Sequence, residues 1–460
     1  MPAPGTFTIR NKDRNDMKIA VIGAGISGLG AAWLLSKSHD VTVFEQDSRL
    51  GGHANTASVD DGAGELGVDT GFIVYNTKTY PNLTALFAHL DVPTAQSNMS
   101  FAVTLDGGNF EYSGSGLAGL FGQPSNLASL RHWRMIWDVL RFFREAEQLK
   151  DVSLHGGLSL GDWLRSQGYS TTFVERHLLP MASAIWSTPT MQVQDFPAVS
   201  FVRFFSNHGL LNVSARPQWR TVAGGSRAYV AALVADTAAN FQVGRPVTRI
   251  EREAEGVRIT IGDTVERFDA CVLAGHADQS LAMLADADRS ERELLGAFRY
   301  SENTAVLHRD ASWMPRRHRL WSSWNYGAEA SDECTSVTYW MNSLQPLETR
   351  ENWFVTLNPG REINDDLVAR RDVYAHPTFD RRALDAQFRL WGLQGRRRTW
   401  FCGSYFGYGF HEDGLQSGLA AAEALGGVMR PWSIPSPSDR LIFSPQIPLV
   451  LPEAGASVAA

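Results

Sequence analysis

Lysine is nearly missing from this chain. Lys12, Lys18, Lys37, Lys78 and Lys150 are all it has in 460 residues, and arginine carries the remaining positive charge. The formal net charge is −7 and no basic stripe dominates, which argues against a nucleic-acid binder. Cysteine is scarce too: Cys271, Cys334 and Cys402 have no metal-type spacing and make no disulfide framework, as expected in a reducing compartment. No apolar run reaches the roughly eighteen residues that a membrane span needs. The opening residues, MPAPGTFTIRNKDRND, lack the apolar core of a secretory signal. A cytoplasmic protein is expected, with contact at the inner membrane surface left open. Aromatic residues, by contrast, are plentiful, with fourteen Trp and twenty-four Phe. They suit a large core, and equally a large apolar cavity. The length allows two or three domains' worth of core.

The most informative stretch is Lys18 to His53, KIAVIGAGISGLGAAWLLSKSHDVTVFEQDSRLGGH. Ile19 to Ile22 form the short apolar run of a buried parallel strand. Gly23, Gly25 and Gly28 then follow as G-x-G-x-x-G and open a helix expected over Ile26 to Lys37. This pattern puts a pyrophosphate against the first N–H groups of that helix, around Gly25, Ile26 and Ser27, with Gly28 letting helix and strand pack closely. A second strand, Val41 to Phe44, delivers Glu45 at the distance where a carboxylate meets ribose hydroxyls. The fingerprint alone leaves the choice between NAD and FAD open.

Further along, Glu65 to Phe72 reads as a hairpin arm ending in a Gly turn, and Pro81 to Leu90 as a helix. Phe101–Leu105 and Asn109–Tyr112 read as a hairpin across Asp106-Gly107-Gly108. Leu127 to Leu149 is a long helix with Trp133, Ile136, Trp137, Leu140 and Phe143 on one face and Arg131, Arg134, Arg141 and Arg144 mostly off it. It is either a core helix with a solvated face, the favoured reading, or an amphipathic helix lying on a membrane surface. Further helices are expected at Leu160 to Gln167, Thr171 to Met181 and Ala228 to Ala239. Strands are expected at Phe241–Val243, Pro246–Arg252, Val257–Ile261, Glu266–Phe268 and Ala270–His276. Asn303–Arg309, Arg319–Trp324, Thr335–Met341 and Trp353–Leu357 add a second sheet. A last strand ends at Gly403 and a last helix starts near Gly414. The Pro- and Ser-rich remainder reads as an extended or partly disordered arm.

Arg49-Leu50-Gly51-Gly52-His53 completes an E-x6-G-G pattern, which resembles the continuation seen in amine-oxidase-like flavoproteins. Longer segments are more specific. Leu179 to Pro189, Arg216 to Trp219, Tyr405 to Leu415, Gly71 to Asn76 with Thr79 to Asn82, and Trp340 to Gln345 resemble one subgroup. It comprises the flavoprotein domain at the N-terminus of plant cyclopropane fatty acid synthases and its stand-alone bacterial relatives. The resemblance covers roughly residues 17 to 426. It implies an α/β fold: an FAD-binding Rossmann-type domain, like those of amine oxidases and glutathione reductase, with an inserted α+β substrate domain. The expected FAD domain is discontinuous, over 17–76, 217–300 and 396–427. The substrate domain takes 77–216 and 301–395, with a flexible N-terminus over 1–16 and the Pro-rich arm over 428–460.

Carried onto this chain, the resemblance places FAD against Gly23, Gly25, Ile26, Ser27, Gly28, Glu45, Gln46, Gly51, Gly52, His53, Asp69, Thr70, Gly71, Phe72, Val247, Ala274, Gly275, Gly403, Glu412, Asp413, Gly414 and Leu415. It implies a fatty acyl or phospholipid substrate in a pocket walled by Trp186, Asn342, Gln345, Tyr405 and Phe410. The functional partner it suggests is a cyclopropane-synthase-like lipid methyltransferase. Amine oxidases of the wider superfamily usually hold a water near the flavin with a lysine well past the midpoint, and none follows Lys150 here. The expected reaction is therefore FAD-dependent dehydrogenation of a branched, methylated or cyclopropanated acyl chain. His411 is the candidate base, Glu412 the group orienting it, and Tyr408 a further candidate. Double-bond isomerisation, amine oxidation and flavin-free lipid carriage are the alternatives.

Overall fold

The computed structural model describes residues 16–443 apart from 63, 150–157, 187–189, 208, 212–216, 329–335 and 427. Nearly all of the expected flexible N-terminus, the end of the C-terminal arm and parts of two resemblance motifs (187–189 and 216) lie outside the described residues.

Five short strands make a parallel sheet: β1 (Lys18–Ile22), β2 (Asp40–Phe44), β3 (Asn240–Gln242), β4 (Ala270–Leu273) and β5 (Thr399–Phe401), in the order β3-β2-β1-β4-β5. Central β1 sets Val21 between Val43 of β2 and Val272 of β4, all three fully buried. That double-sided burial is why these strands read as unbroken apolar runs rather than alternations. The chain thus returns to this sheet twice.

Helix α1 (Ile26–Leu35) is buried along its whole length. Its cover includes the last helix, His411–Gly426, which starts three residues earlier than expected. Glycine is needed where the chains approach. A Cβ on Gly28 would sit 1.9 Å from the Gly23 carbonyl oxygen, and one on Gly418 2.1 Å from that of Ser27.

A seven-stranded sheet forms the second layer, in the order Val368–Thr378, Arg299–His308, Phe354–Leu357, Ser336–Trp340, Trp324–Ala328, Phe101–Leu105, Phe110–Ser113. The expected hairpin is its edge. One expectation fails here. Arg319–Trp324 is not a strand: a 3₁₀ turn covers His318–Leu320, and the Ser322 N–H donates to Asn325 Oδ1 (3.0 Å), a local bond that competes with a ladder. The strand begins only at Trp324. Conversely, Val368–Thr378 pairs along Arg299–His308 although arginines and aspartate interrupt it. It is an edge strand with one wet face.

Helices cover this sheet. Helix α2 (Pro81–His89) packs instead against the last helix and the parallel-sheet core, whereas α3 (Gly116–Leu120) and α4 (Leu130–Ala146) lie on the second sheet. Helix α4 turns a different face inward from the one its aromatic pattern suggested. His132, Met135, Asp138, Phe142 and Ala146 are buried, whereas Trp133, Trp137 and Leu140 are exposed. Anchors on the inner face set the rotation: His132 Nε2 lies 2.9 Å from the Leu120 carbonyl, and Asp138 accepts from the Ser170 N–H at 3.1 Å.

The described part of the C-terminal arm is a strap, not a loose tail. Arg430 donates to Glu423, to Asn82 Oδ1 and to the Pro437 carbonyl, and Trp432 stacks on Trp33 with centroids 5.6 Å apart. Arg440 pairs with Asp413 at 3.0 Å, both side chains being buried. Proline content alone misled here, because it says nothing of the buried carboxylates that arginines can reach.

Candidate functional site

One cavity of about 1290 Å³ runs between the two sheets. Its first group of walls comes from the parallel sheet. Glu45, at the end of β2, points one carboxylate oxygen at the Ala24 N–H (2.7 Å) and the other at that of Asp47 (3.0 Å). Arg245 donates its N–H to the Glu45 carbonyl, which brings Val247 beside Gln46 in the same wall. Gly25, the residue before α1, has ordinary extended backbone angles, yet a Cβ built on it meets nothing within 4 Å. It faces open cavity at the end of a helix whose first N–H groups have no intrahelical partners. Gly23, Ile26, Ser27, Gly52, Ala274 and Gly275 share this wall. A glycine-edged opening before a helix N-terminus, with a carboxylate at the adjoining strand end, fits the pyrophosphate and ribose of FAD.

The middle of the cavity is lined by His53, Thr70, Gly71, Phe72, Gly403 and His411, among others. His411 stacks on Phe72 at 3.8 Å, and its Nε2 lies 2.9 Å from the Tyr229 hydroxyl. Burial pushes its pKa down to about 3, so the ring is neutral. His53 lies between Tyr374 (5.1 Å) and His376 (5.4 Å), and burial followed by the neighbouring His376 holds its pKa well below the usual histidine value. His376 is brought down to about 4 by burial, and its Nδ1 lies 3.1 Å from Asn303 Nδ2. All three imidazoles are neutral at physiological pH and able to accept a proton only from a strong acid.

Beyond them the walls turn apolar. Phe410 stacks on Phe204 (5.2 Å), Trp186 approaches Phe204 at 4.5 Å, and Tyr408 meets it edge-on at 5.7 Å. Met135, Ile136, Val139, Leu140 and Phe143, from α4, continue the wall. The charged lining residues are Glu45, Asp47, Arg49, Arg245 and Glu302, and no described lysine lines the cavity. The first four belong to the nucleotide wall, and Glu302 is exposed. Tyr405 lines the cavity with its ring almost fully buried, and burial raises its pKa, as it does that of Tyr408, which accepts from Asn207 Nδ2 at 3.1 Å.

Several expected site residues stand elsewhere. Glu412 does not reach the cavity: it turns back to accept the N–H groups of Asn82 (3.0 Å) and Leu83 (2.9 Å) at the start of α2. Asp413 accepts from the Phe410 N–H and pairs with Arg440. Gly414 and Leu415 are consumed in packing against α1. Asp69 is sealed behind the cavity wall, where it accepts from Thr56, Ser226 and Gln345. Gln345 is therefore a structural partner of Asp69 and lines no part of the large cavity. Asn342 caps a turn instead, accepting the Trp353 N–H and donating to the Glu351 carbonyl. Short polar side chains near helix and strand ends were read as ligand groups, but buried backbone N–H groups claimed them first. Gly28 and Gly51 shape the turns behind the wall without lining it. Sequence reading passed over Phe204, Tyr229, Tyr374 and His376. Only the alternation of Tyr374 and His376 along their strand signalled two side chains sharing a face.

Residues 26–308 match the family described as flavin containing amine oxidoreductase. A Mycobacterium tuberculosis protein assigned provisionally as the flavin-containing monoamine oxidase AofH is 29% identical over 259 residues, which are 53% of each chain, so the present chain spans about half the length of that relative. A 4,4'-diapophytoene desaturase of Staphylococcus aureus is 46% identical over 52 residues, 11% of this chain and 10% of its own. Among solved structures, the conjugated-linoleic-acid-producing fatty acid isomerase of P. acnes superposes with a TM-score of 0.64 at 16% identity, over 89% of this chain and 98% of that one. Putrescine oxidase bound to putrescine gives 0.65 at 16%, over 89% and 99%. At these identities the structures share a fold.

Proposed function

We propose that this chain, which belongs to the flavin-containing amine oxidoreductase family, acts on an apolar acyl chain and introduces a double bond beside a methyl, methylene or cyclopropane branch. FAD is its cofactor. The observation that carries the substrate reading is the arm of the cavity beyond His411, whose described walls are mostly aromatic and aliphatic and hold no buried carboxylate. An amine is a cation at neutral pH, and burying it there without a carboxylate would be costly. An acyl chain suffers no such penalty and gains from every methylene removed from water.

FAD bound along Gly25, Glu45 and Gly52 supplies the two-electron acceptor for the hydride equivalent that dehydrogenation releases. The chain's own residues do the rest. Phe204, Phe410 and Trp186 hold the substrate between flat walls and exclude water. Loss of hydride leaves cationic character on the acyl chain, which makes the neighbouring proton strongly acidic. A neutral imidazole whose conjugate acid has a pKa near 3 or 4 is then a sufficient acceptor. His411 and His376 both answer that description. When the Tyr229 hydroxyl donates to Nε2, His411 presents Nδ1–H, and the Asn303 amide likewise donates to His376 Nδ1, so either ring gives up one hydrogen bond to take the proton. The reaction supplying the substrate would be a lipid methyl or methylene transfer.

The test is anaerobic titration of the flavin absorbance with methyl-branched, methylene and cyclopropane phospholipids, and separately with amines. Bleaching by lipid alone, with a product lacking two hydrogens, is expected. Bleaching by an amine alone overturns the reading. A shifted double bond without bleaching makes the enzyme an isomerase, the second reading, favoured by the same apolar arm.

A further inference from the structure

The apolar arm of the cavity ends at a surface that the described chain leaves bare. Leu117 in α3 is 75% exposed, and Leu130 at the start of α4 is 85% exposed. Leu127, Trp133, Trp137 and Leu140 are all about half exposed. These are not scattered residues. Trp133 donates its indole N–H to the Leu127 carbonyl (3.0 Å) and packs on Phe121 at 4.8 Å, which fixes the α3–α4 connection and the outer face of α4 as one patch. Leu140 belongs to both worlds, being an exposed residue of that patch and a wall of the cavity. Gly116 and Leu120 of α3 and Ile136 and Phe143 of α4 line the same end. The cavity therefore opens between α3 and α4, within the patch.

Charge around the patch has one sign. No aspartate, glutamate, lysine or arginine occurs between Glu111 and Arg131. On α4, Arg131, Arg134 and Arg144 are exposed and Arg141 is partly so. The two carboxylates of this helix are spoken for: Asp138 is fully buried and paired with Arg134, and Glu145 is paired with Arg141 at 2.8 Å. Arg144 also lies over the Trp137 ring at 6.0 Å. Exposed leucine and tryptophan flanked by arginine, with both acids of α4 itself paired, on a protein of net charge −7, is a local exception to the molecule's own field.

We propose that this face docks on an anionic lipid bilayer, and that the acyl substrate passes between α3 and α4 from the bilayer into the cavity. Tryptophan and leucine enter the headgroup boundary while arginine meets lipid phosphate, the arrangement of an interfacial helix. A second copy of the chain fits poorly, because a two-fold contact sets each copy's Arg131, Arg134 and Arg144 against the same patch of its twin. What enters the cavity rests on the substrate reading above; the docking does not.

The holoprotein is floated with phosphatidylcholine vesicles, with and without phosphatidylglycerol, at low and high salt. Binding is expected only with phosphatidylglycerol and is lost as salt rises. Joint substitution of Arg131→Ala and Arg144→Ala is expected to weaken binding roughly 25-fold, at about fivefold for each arginine. Trp133→Ser with Trp137→Ser is expected to weaken it at least about tenfold. These side chains line no part of the cavity, so flavin content and bleaching by a short, soluble acyl substrate should stay as in the wild type. Wild-type protein that ignores anionic vesicles, or tryptophan variants that bind as the wild type does, would overturn the proposal. So would a dimer, seen by light scattering, that the tryptophan variants dissolve. Docking that persists while no acyl substrate bleaches the flavin would refute the reaction and leave the surface standing.

Discussion

Replacing Gly25 by valine separates folding from cofactor binding, because this glycine owes nothing to backbone strain. Its φ of −72° and ψ of −179° suit any residue, and its Cβ position is open space. The apo-variant should keep its stability within about 0.5 kcal/mol, as an unobstructed substitution does. The isopropyl group, however, projects into the opening before α1, where we place the pyrophosphate and its hydrogen bonds. Losing two charge-assisted bonds at about 1.5–3 kcal/mol each amounts to roughly 3–6 kcal/mol, or about 10²- to 10⁴-fold in FAD affinity. Gly28→Ala is the contrast. Its Cβ lands 1.9 Å from the Gly23 carbonyl oxygen, so helix and turn must part and the fold itself should weaken. The assay is titration of deflavinated protein with FAD, followed by absorbance and fluorescence, beside thermal unfolding of both apo-variants. A Gly25→Val protein that takes up FAD like the wild type would refute the placement of the pyrophosphate. One that melts as early as Gly28→Ala would refute the claim that the position is open.

Other expectations follow from the same geometry. Arg440→Met strands the buried Asp413 carboxylate and should cost about 3–5 kcal/mol in urea unfolding, with Arg440→Lys losing less. Burial pushes the Asp69 pKa up to about 6 from the ordinary 3.8, against the hydrogen bonds of Thr56 and Ser226. The native state therefore holds this proton more tightly than the unfolded chain, and stability falls as pH rises between those values, by about 3 kcal/mol in all. Roughly 2 kcal/mol of that fall lies between about pH 4.5 and pH 7.5, and Asp69→Asn should abolish it while leaving the rest of the pH profile in place. Because burial lowers His411 to about 3 and His376 to about 4, kcat/KM should show no ascending limb near the usual histidine pKa of about 6.5. A limb there that vanished in His411→Asn would contradict the neutral ring.

The parallel sheet was legible because its strands carry their own signature. Val21, Val43 and Val272 sit in runs buried on both faces, and the glycine spacing after β1 has few other uses. The cavity's nucleotide wall was legible for the same reason. The acidic residues of the last helix were not. Glu412 and Asp413 have the look of catalytic carboxylates, but their partners are the N–H groups of Asn82 and Leu83 and the guanidinium of Arg440, more than twenty residues away in either direction. Nothing local announces such a claim. The rotation of α4 was hidden likewise. Trp133 and Trp137 have the periodicity of a core face, and only the Leu120 carbonyl and the Ser170 N–H, both from other elements, decide that His132 and Asp138 point inward instead.

The burial of α1 has a consequence for biosynthesis. This helix leaves the ribosome long before its cover does: β5 and the helix against which Ser27 packs begin only at Thr399 and His411. Until then a wholly apolar helix has one flank uncovered, a long-range closure of the kind that slows folding and invites chaperones. The cavity wall around Gly25 and Glu45 is begun long before Gly403 and His411 complete the lining. A nascent chain arrested before about residue 440 would lack the strap as well, so flavin loading should wait until that segment has emerged.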